Sequence, residues 1–362
     1  MKKIAYYITA HGYGHGARSC DIINALRTAA PNQPVIVKTD LPDDFMQSRL
    51  LNGIELRRGA FDIGLIQQDS IQMDLGASLK ALEALYARES ELVRQEVDFM
   101  RNENIGVVVA DIPAIPLAAA QQTGLPNIAT SNFGWDWIYE EFGIHDPRWR
   151  PYVEKFRTIY AHTDLLLRQP FAEPMESFPN KMDLPLLAKP GQNRKKKIAE
   201  ITGADPGKRW ILLSFTALDL QQPALDQLSH LSDYEWFSVE PLEWTDSSVH
   251  CITRADVCFA DTMASVDLVV TKPGFGILSE CIANNKPMIY SDRLHFREYG
   301  VLVKAIKRYC RHAFIPNSEL YAGQLEKALS EIETAEEPQE RIAGGGAEQA
   351  AREILERLSA NG

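Results

Sequence analysis

The sequence predicts an α/β protein of two domains, each built on a parallel sheet covered by helices. Three observations predict it. The chain has 362 residues, too long for one ordinary domain and suited to two. Short Val- and Ile-rich runs alternate with amphipathic stretches, the mark of buried parallel strands joined by crossover helices. The alternation occurs twice, interrupted by an aperiodic segment with Pro and Gly, Pro185–Asn193.

In the first half, Lys3–Thr9 reads as a strand and Ala10–Gly16 as a Gly-rich loop. Ala17–Ala29 reads as a helix carrying Ile22, Ile23, Leu26 and Ala29 on one face. Pro34–Thr39 and Gly53–Arg57 are the next strands. One long helix is expected over Leu79–Asn102, with Leu82, Leu85, Leu92, Val93 and Val97 as its stripe. Gly106–Ala110 is a buried strand ending in Asp111-Ile112-Pro113, followed by a helix at Ile115–Thr123 and a strand at Asn127–Thr130. The second half has strands at Trp210–Phe215, Tyr234–Ser238, Val249–Thr253, Asp267–Thr271 and Pro287–Ser291, and helices at Ile277–Asn284 and Tyr299–Lys307. Residues 1–187 form the first domain and 188–346 the second. In 347–362 a terminal helix, Glu348–Leu358, is placed to swing back onto the first domain.

Composition narrows the function classes. A net charge of −11 disfavours a general nucleic-acid or anionic-membrane binder. The one basic run, Arg194–Lys197, reads as a solvated linker or helix start, or else as an anionic docking patch. No apolar run approaches the ~18 residues of a membrane span. The apolar part of the N-terminus is a short alternating strand, which reads as β-structure and not as a signal peptide, so a cytoplasmic protein is expected. The five cysteines form no CxxC pair, and reduced core thiols are expected.

Two loops carry the candidate chemistry. His11-Gly12-Tyr13-Gly14-His15-Gly16 follows the first strand and opens a helix, where ligands of parallel sheets bind and helix N–H groups meet anions. His15 is either a helix cap or a functional imidazole. A metal held by His11 and His15 is disfavoured, since the glycines between them argue against a helical ligand pair. Asp111, at the end of a buried strand, is expected at the same sheet edge, as a partner of that loop or as an N-cap for the helix near Ile115. The second loop, Thr271–Glu280 (TKPGFGILSE), joins a strand to a helix. Gly274, Phe275 and Gly276 are placed to cradle a diphosphate, and Glu280 to hold ribose hydroxyls. Trp135 and Asp136, in the aromatic run Phe133–Tyr139, line a sugar pocket or else pack in the core.

Thr271–Pro287 (TKPGFGILSECIANNKP) resembles the donor-binding segment of GT-B glycosyltransferases related to MurG, the cell-wall N-acetylglucosaminyltransferase. Tyr6–Arg18 (YYITAHGYGHGAR), Ala110–Pro113 and Ser131–Tyr139 (SNFGWDWIY) resemble the glycosyltransferase-like N-terminal region of L-arabinokinase and its stand-alone bacterial relatives. The resemblance spans roughly residues 3–310 and does not extend to the sugar-kinase half of an arabinokinase. It implies two Rossmann-like domains with parallel sheets facing a cleft. An acceptor would be held by the first domain, with Gly14, Trp135 and Asp136 at its site, and a nucleoside-diphosphate sugar, most often a uridine one, by the second. His15 would be the catalytic base, oriented by Asp111. Around the donor, Arg293 would pair with phosphate and Glu298 with sugar hydroxyls, surface charge being the alternative for both; His295 lies between them. Many such relatives carry a glycine-rich turn where this chain has Leu213–Asp219, and the hydroxyls of Ser214 and Thr216 stand in its place. The reaction so implied is inverting, needs neither metal nor cofactor, and uses the nucleotide sugar as co-substrate. An epimerase, a hydrolase or a noncatalytic nucleotide-sugar binder fits the same fold.

Overall fold

The computed structural model describes residues 1–66, 73–245, 247–293 and 296–361. These residues divide into two compact units, 1–66, 74–187 and 344–361 in the first and 73 with those between 188 and 343 in the second.

The first unit runs β1 (Lys3–Ile8), α1 (Tyr13–Ala29), β2 (Val35–Thr39), α2 (Asp43–Arg49), β3 (Glu55–Arg58), α3 (Leu75–Tyr86), α4 (Glu89–Asn102), β4 (Ile105–Asp111), α5 (Ala114–Thr123), β5 (Asn127–Ser131), α6 (Trp135–His145), α7 (Arg150–Tyr160), β6 (Leu165–Arg168) and β7 (Lys181–Asp183). Its seven strands pair in parallel in the order β3-β2-β1-β4-β5-β6-β7. Every residue of β2, β4 and β5 is buried; β4 accordingly reads as a nearly continuous apolar run, whereas β2 and β5 also bury Lys38, Thr39, Asn127, Thr130 and Ser131.

The second unit runs α8 (Lys195–Thr202), β8 (Arg209–Ser214), α9 (Gln222–His230), β9 (Tyr234–Val239), β10 (Val249–Ile252), α10 (Phe259–Ser265), β11 (Leu268–Thr271), α11 (Phe275–Ala283), β12 (Met288–Ser291), α12 (Tyr299–Tyr309), β13 (His312–Ile315), α13 (Asn317–Tyr321) and α14 (Glu326–Thr334). Its six parallel strands lie in the order β10-β9-β8-β11-β12-β13. The basic run opens a helix within this unit: Arg194 pairs with Asp261 at 3.2 Å and Lys195 with Asp267 at 3.3 Å, while Lys196 and Lys197 are exposed.

The last helix, α15 (Gly346–Ala360), belongs to the first unit. Ala347, Ala350, Ala351, Ile354 and Leu358 join the same core as Ile22, Ile23 and Leu26 of α1. Gly346 N–H donates to the Leu186 carbonyl at 3.0 Å, and Asn361 to the Gly106 carbonyl at 2.9 Å. Each fully buried Ile or Leu in such a seam is worth about 1.5–3 kcal/mol.

Two expectations are corrected. The helix expected over Leu79–Asn102 is two helices, because Ala87 and Arg88 break it and Arg88 leaves helical geometry at φ −105, ψ 8. The break lets Tyr86 pack on Tyr152 and Phe156 of α7, while Glu96 takes Lys38 in a buried ion pair at 2.6 Å. The loop after β1 is also shorter than expected: α1 starts at Tyr13, so Gly14, His15 and Gly16 lie in its first turn and a half. No helix among the described residues is long and apolar enough to cross a membrane.

Candidate functional site

Strand order reverses between β1 and β4 in the first unit and between β8 and β11 in the second. Loops at such a point splay apart beyond the carboxyl ends of the strands and leave a crevice for a ligand. Both glycine loops singled out in the sequence lie at these points.

In the first unit Ile8 is in register with Asp111, and Thr9 N–H donates to the Asp111 carbonyl at 2.9 Å. The chain leaves β1 through Gly12, whose φ of 80 with ψ 157 favours glycine, and turns into α1. Gly16 lets the helix close on Leu41 and Phe45, each 2.6 Å from where its Cβ would stand. One turn in, His15 Nδ1 lies 2.9 Å from Asp111 Oδ1. The Asp111 side chain is fully buried, and that of His15 keeps 8% exposure. Neither capping alternative holds. The N-cap of α1 is Gly12 and that of α5 is Pro113, and no side chain caps either.

The carboxylate has more partners than the sequence suggested. Arg18 grips it with two prongs, Nε to Oδ2 at 2.8 Å and Nη2 to Oδ1 at 2.6 Å, and Ser19 Oγ donates to Oδ2 at 2.9 Å. Arg18 is steadied in turn by Asn132 and, at 3.2 Å, by Ser131 Oγ. Burial alone would raise the Asp111 carboxyl, but the charge of Arg18 and the hydrogen bonds from Arg18 and His15 outweigh it and hold it well below the usual carboxylate range. Burial and Arg18 lower His15, with Asp111 opposing, so the imidazole is neutral at pH 7.

Behind this pair is a layer that sequence reasoning missed. Asp62 accepts from Thr9 Oγ1 at 2.7 Å and from Trp135 Nε1 at 3.0 Å, and burial pushes its carboxyl up to about 6. Trp135 is 1% exposed and Asp136 6%, the latter bonded to Ser177. Of the two alternatives for this run, sugar pocket or core, the burial of both side chains favours core packing. Gly14 is exposed at the helix start with open space around it. His11 is committed elsewhere: its Nδ1 accepts from Leu65 N–H at 3.0 Å, and its ring meets Trp135 edge-on at 5.4 Å. Among the described residues, no three His, Cys, Asp or Glu side chains gather as metal ligands do.

In the second unit Thr271 is in register with Ser214, and Thr271 Oγ1 donates to the Ser214 carbonyl at 2.6 Å. This joins the Gly-rich loop to the glycine-free turn after β8, where Thr216 and Ala217 are exposed. Helix α11 begins at Phe275 with Gly274 as N-cap, and among the described residues no side chain caps it and no acid occupies its first turn. Gly276 lies in that first turn, and Glu280 is half-buried one turn further on. Arg293 is brought to the same loop, with Nη1 3.4 Å from the Pro273 carbonyl and its guanidinium 3.2 Å from the centre of the Phe296 ring. Its Nε is buried without a hydrogen-bond partner among the described residues, an arrangement open to an anion. Burial lowers the guanidinium to about 10, and the buried Glu298 opposes that shift, so Arg293 stays charged at neutral pH. His295 lies outside the described residues.

No family model matches the chain. It is 27% identical over 342 residues to L-arabinokinase of Arabidopsis thaliana, covering 90% of this chain and 32% of that protein, so it spans about a third of that relative's length. Among solved structures it resembles the glycosyltransferase SnogD from Streptomyces nogalater, with a TM-score of 0.58, 14% identity, and 99% and 96% of the two chains covered. It also resembles Phytolacca americana UGT2 complexed with UDP-2fluoro-glucose and pterostilbene, with a TM-score of 0.60, 10% identity, and 99% and 94% covered. The chain thus has the GT-B glycosyltransferase fold, with a sequence similar to part of L-arabinokinase.

Proposed function

We propose that this chain is a glycosyltransferase that moves a sugar from a uridine diphosphate sugar to a hydroxyl acceptor, with inversion and without a metal. The observation that carries the reading is the His15–Asp111 pair at the β1/β4 switch point. An acceptor hydroxyl is a poor nucleophile unless its proton is removed as it attacks. A neutral imidazole suits that task at pH 7, and a carboxylate on Nδ1 fixes the tautomer and stabilises the imidazolium. The acceptor oxygen forms a bond to the anomeric carbon from the face opposite the diphosphate. The old C–O bond breaks with its electrons going to the diphosphate, and the acceptor proton goes to His15 Nε2.

The leaving diphosphate carries the charge that must be met. The N-terminus of α11, which no side chain caps among the described residues, and the Arg293 guanidinium suit that role, as fixed donors for developing negative charge. Glu280 would hold the ribose hydroxyls and Glu298 those of the donor sugar. Ser214 and Thr216 would supply hydroxyls at the turn after β8. Gly14 leaves room for the acceptor beside His15. The protein would work in the cytoplasm.

The test is turnover of uridine diphosphate sugars by His15→Ala, followed as release of free nucleotide. The reading expects a rate loss of about 10²–10⁴ with nucleotide affinity unchanged. Full activity in His15→Ala, or binding with no nucleotide release by the wild type, contradicts it.

A further inference from the structure

The Arg18 side chain is the feature that a plain His–carboxylate pair does not require. It is buried, comes from the same helix as His15, and spends two of its donors on the carboxylate that orients His15. Its Nη2 also lies 2.7 Å from His15 Nδ1. Nη2 carries two hydrogens for three neighbours, Asp111 Oδ1 at 2.6 Å, Ser131 Oγ at 3.2 Å and Nδ1 itself. The Nδ1–Asp111 Oδ1 contact at 2.9 Å favours a donor on Nδ1, because a carboxylate oxygen can only accept, and that leaves the lone pair on Nε2.

We infer that Arg18 is a positioning residue for His15: by gripping both oxygens of Asp111 it takes a share of the carboxylate's charge and keeps the imidazole neutral with its proton on Nδ1. This rests on the reading of His15 as the base. In a pair without Arg18, the full charge of Asp111 would favour imidazolium and remove the base as the medium turns acidic. Arg18 moves that limit to lower pH at the expense of weaker imidazolium stabilisation.

The other groups around His15 leave this balance to Arg18 and Asp111. From the loop before α1, the His11 ring stands 6.3 Å away, with Nδ1 held by Leu65. From the segment after β3, Asp62 faces Thr9 and Trp135, and Asp111 raises its carboxyl further. From beyond β5 come the neutral Asn132 and the Phe133 ring, edge-on at 5.6 Å.

The experiment is a pH titration of the full chain labelled with ¹⁵N-histidine, with the His15 signals assigned by their loss in His15→Gln. In the wild type, His15 is expected neutral with the proton on Nδ1 and with a titration point below the ordinary 6.5. In Arg18→Met the titration point rises by about one pH unit, as loss of a neighbouring full charge dictates. The acid limb of the kcat/KM profile rises with it, while KM for the nucleotide sugar does not move. Arg18→Lys, which keeps the charge, stays near the wild type. A folded Arg18→Met that titrates like the wild type overturns the inference. If that variant does not fold, the wild type decides alone: a proton on Nε2, or a titration point at or above the ordinary value, overturns it equally. Failure of the base reading is seen separately, as full turnover in His15→Ala.

Discussion

The loops after β1 and after β11 occupy equivalent places in their sheets, yet one is closed around charge and the other open to it. After β1, the helix start is backed by a buried network in which Asp111 meets His15, Arg18 and Ser19, and nothing of the carboxylate reaches solvent. After β11, among the described residues, no side chain caps the half-exposed helix start, and the cation beside it, Arg293, holds a buried Nε without a partner. A strand–glycine–helix unit fixes only the location of a site. The side chains decide whether it handles a proton or an anion.

The largest difference is expected in stability. Asp111→Ala strands the buried Arg18 charge and should cost about 3–5 kcal/mol in urea unfolding. Glu280→Ala, at the corresponding helix of the second unit, should cost no more than about 1 kcal/mol. Equal losses would break the comparison. Acid tests the same network. The Asp111 carboxyl is held below its ordinary 3.8, so the stability it contributes is complete above that value and is lost as pH falls below it. His15, lowered from 6.5, has the same sign, while Asp62, raised to about 6, has the opposite sign between 3.8 and about 6. The wild type should therefore lose stability below pH 3.8, and Asp111→Asn should lose less of it over the same range.

A smaller contrast is expected at the glycines. Gly12, at φ 80 and ψ 157, occupies a region closed to other residues, and Gly12→Ala should cost about 1–3 kcal/mol. Gly274 has extended geometry, and an added Cβ would find only Ile277, at 3.7 Å, so Gly274→Ala should stay within about 0.5 kcal/mol. Thermal unfolding of both variants checks this. The smallest expected effect is none: with helix and arginine meeting the diphosphate, turnover should survive a chelator. Complete loss restored by magnesium or manganese would contradict the assignment of that work to α11 and Arg293.

The buried strands were legible because apolar runs such as Gly106–Ala110 stand between glycines and polar turns, and their ends located His15, Asp111 and Gly274. What stayed hidden depends on side chains meeting across long separations. Arg18 lies one helical turn from His15, but its partner is 93 positions away, and only the β1–β4 pairing brings them together. Asp62 falls in a segment with no periodic pattern and is revealed by its two donors, Thr9 and Trp135. The break at Ala87 and Arg88 carries neither Gly nor Pro, so local propensity says nothing of it. Trp135 and Asp136 stayed ambiguous because an aromatic run reads alike in a sugar pocket and in a buried helix such as α6.

The central claim is that proton work belongs to the first loop and anion work to the second. Calorimetric titration of uridine diphosphate into wild type, His15→Ala and Glu280→Ala tests it most directly. The account predicts wild-type affinity in His15→Ala and a loss of about 1.5–3 kcal/mol in Glu280→Ala. The reverse pattern, or unchanged affinity in a folded Glu280→Ala, would contradict it.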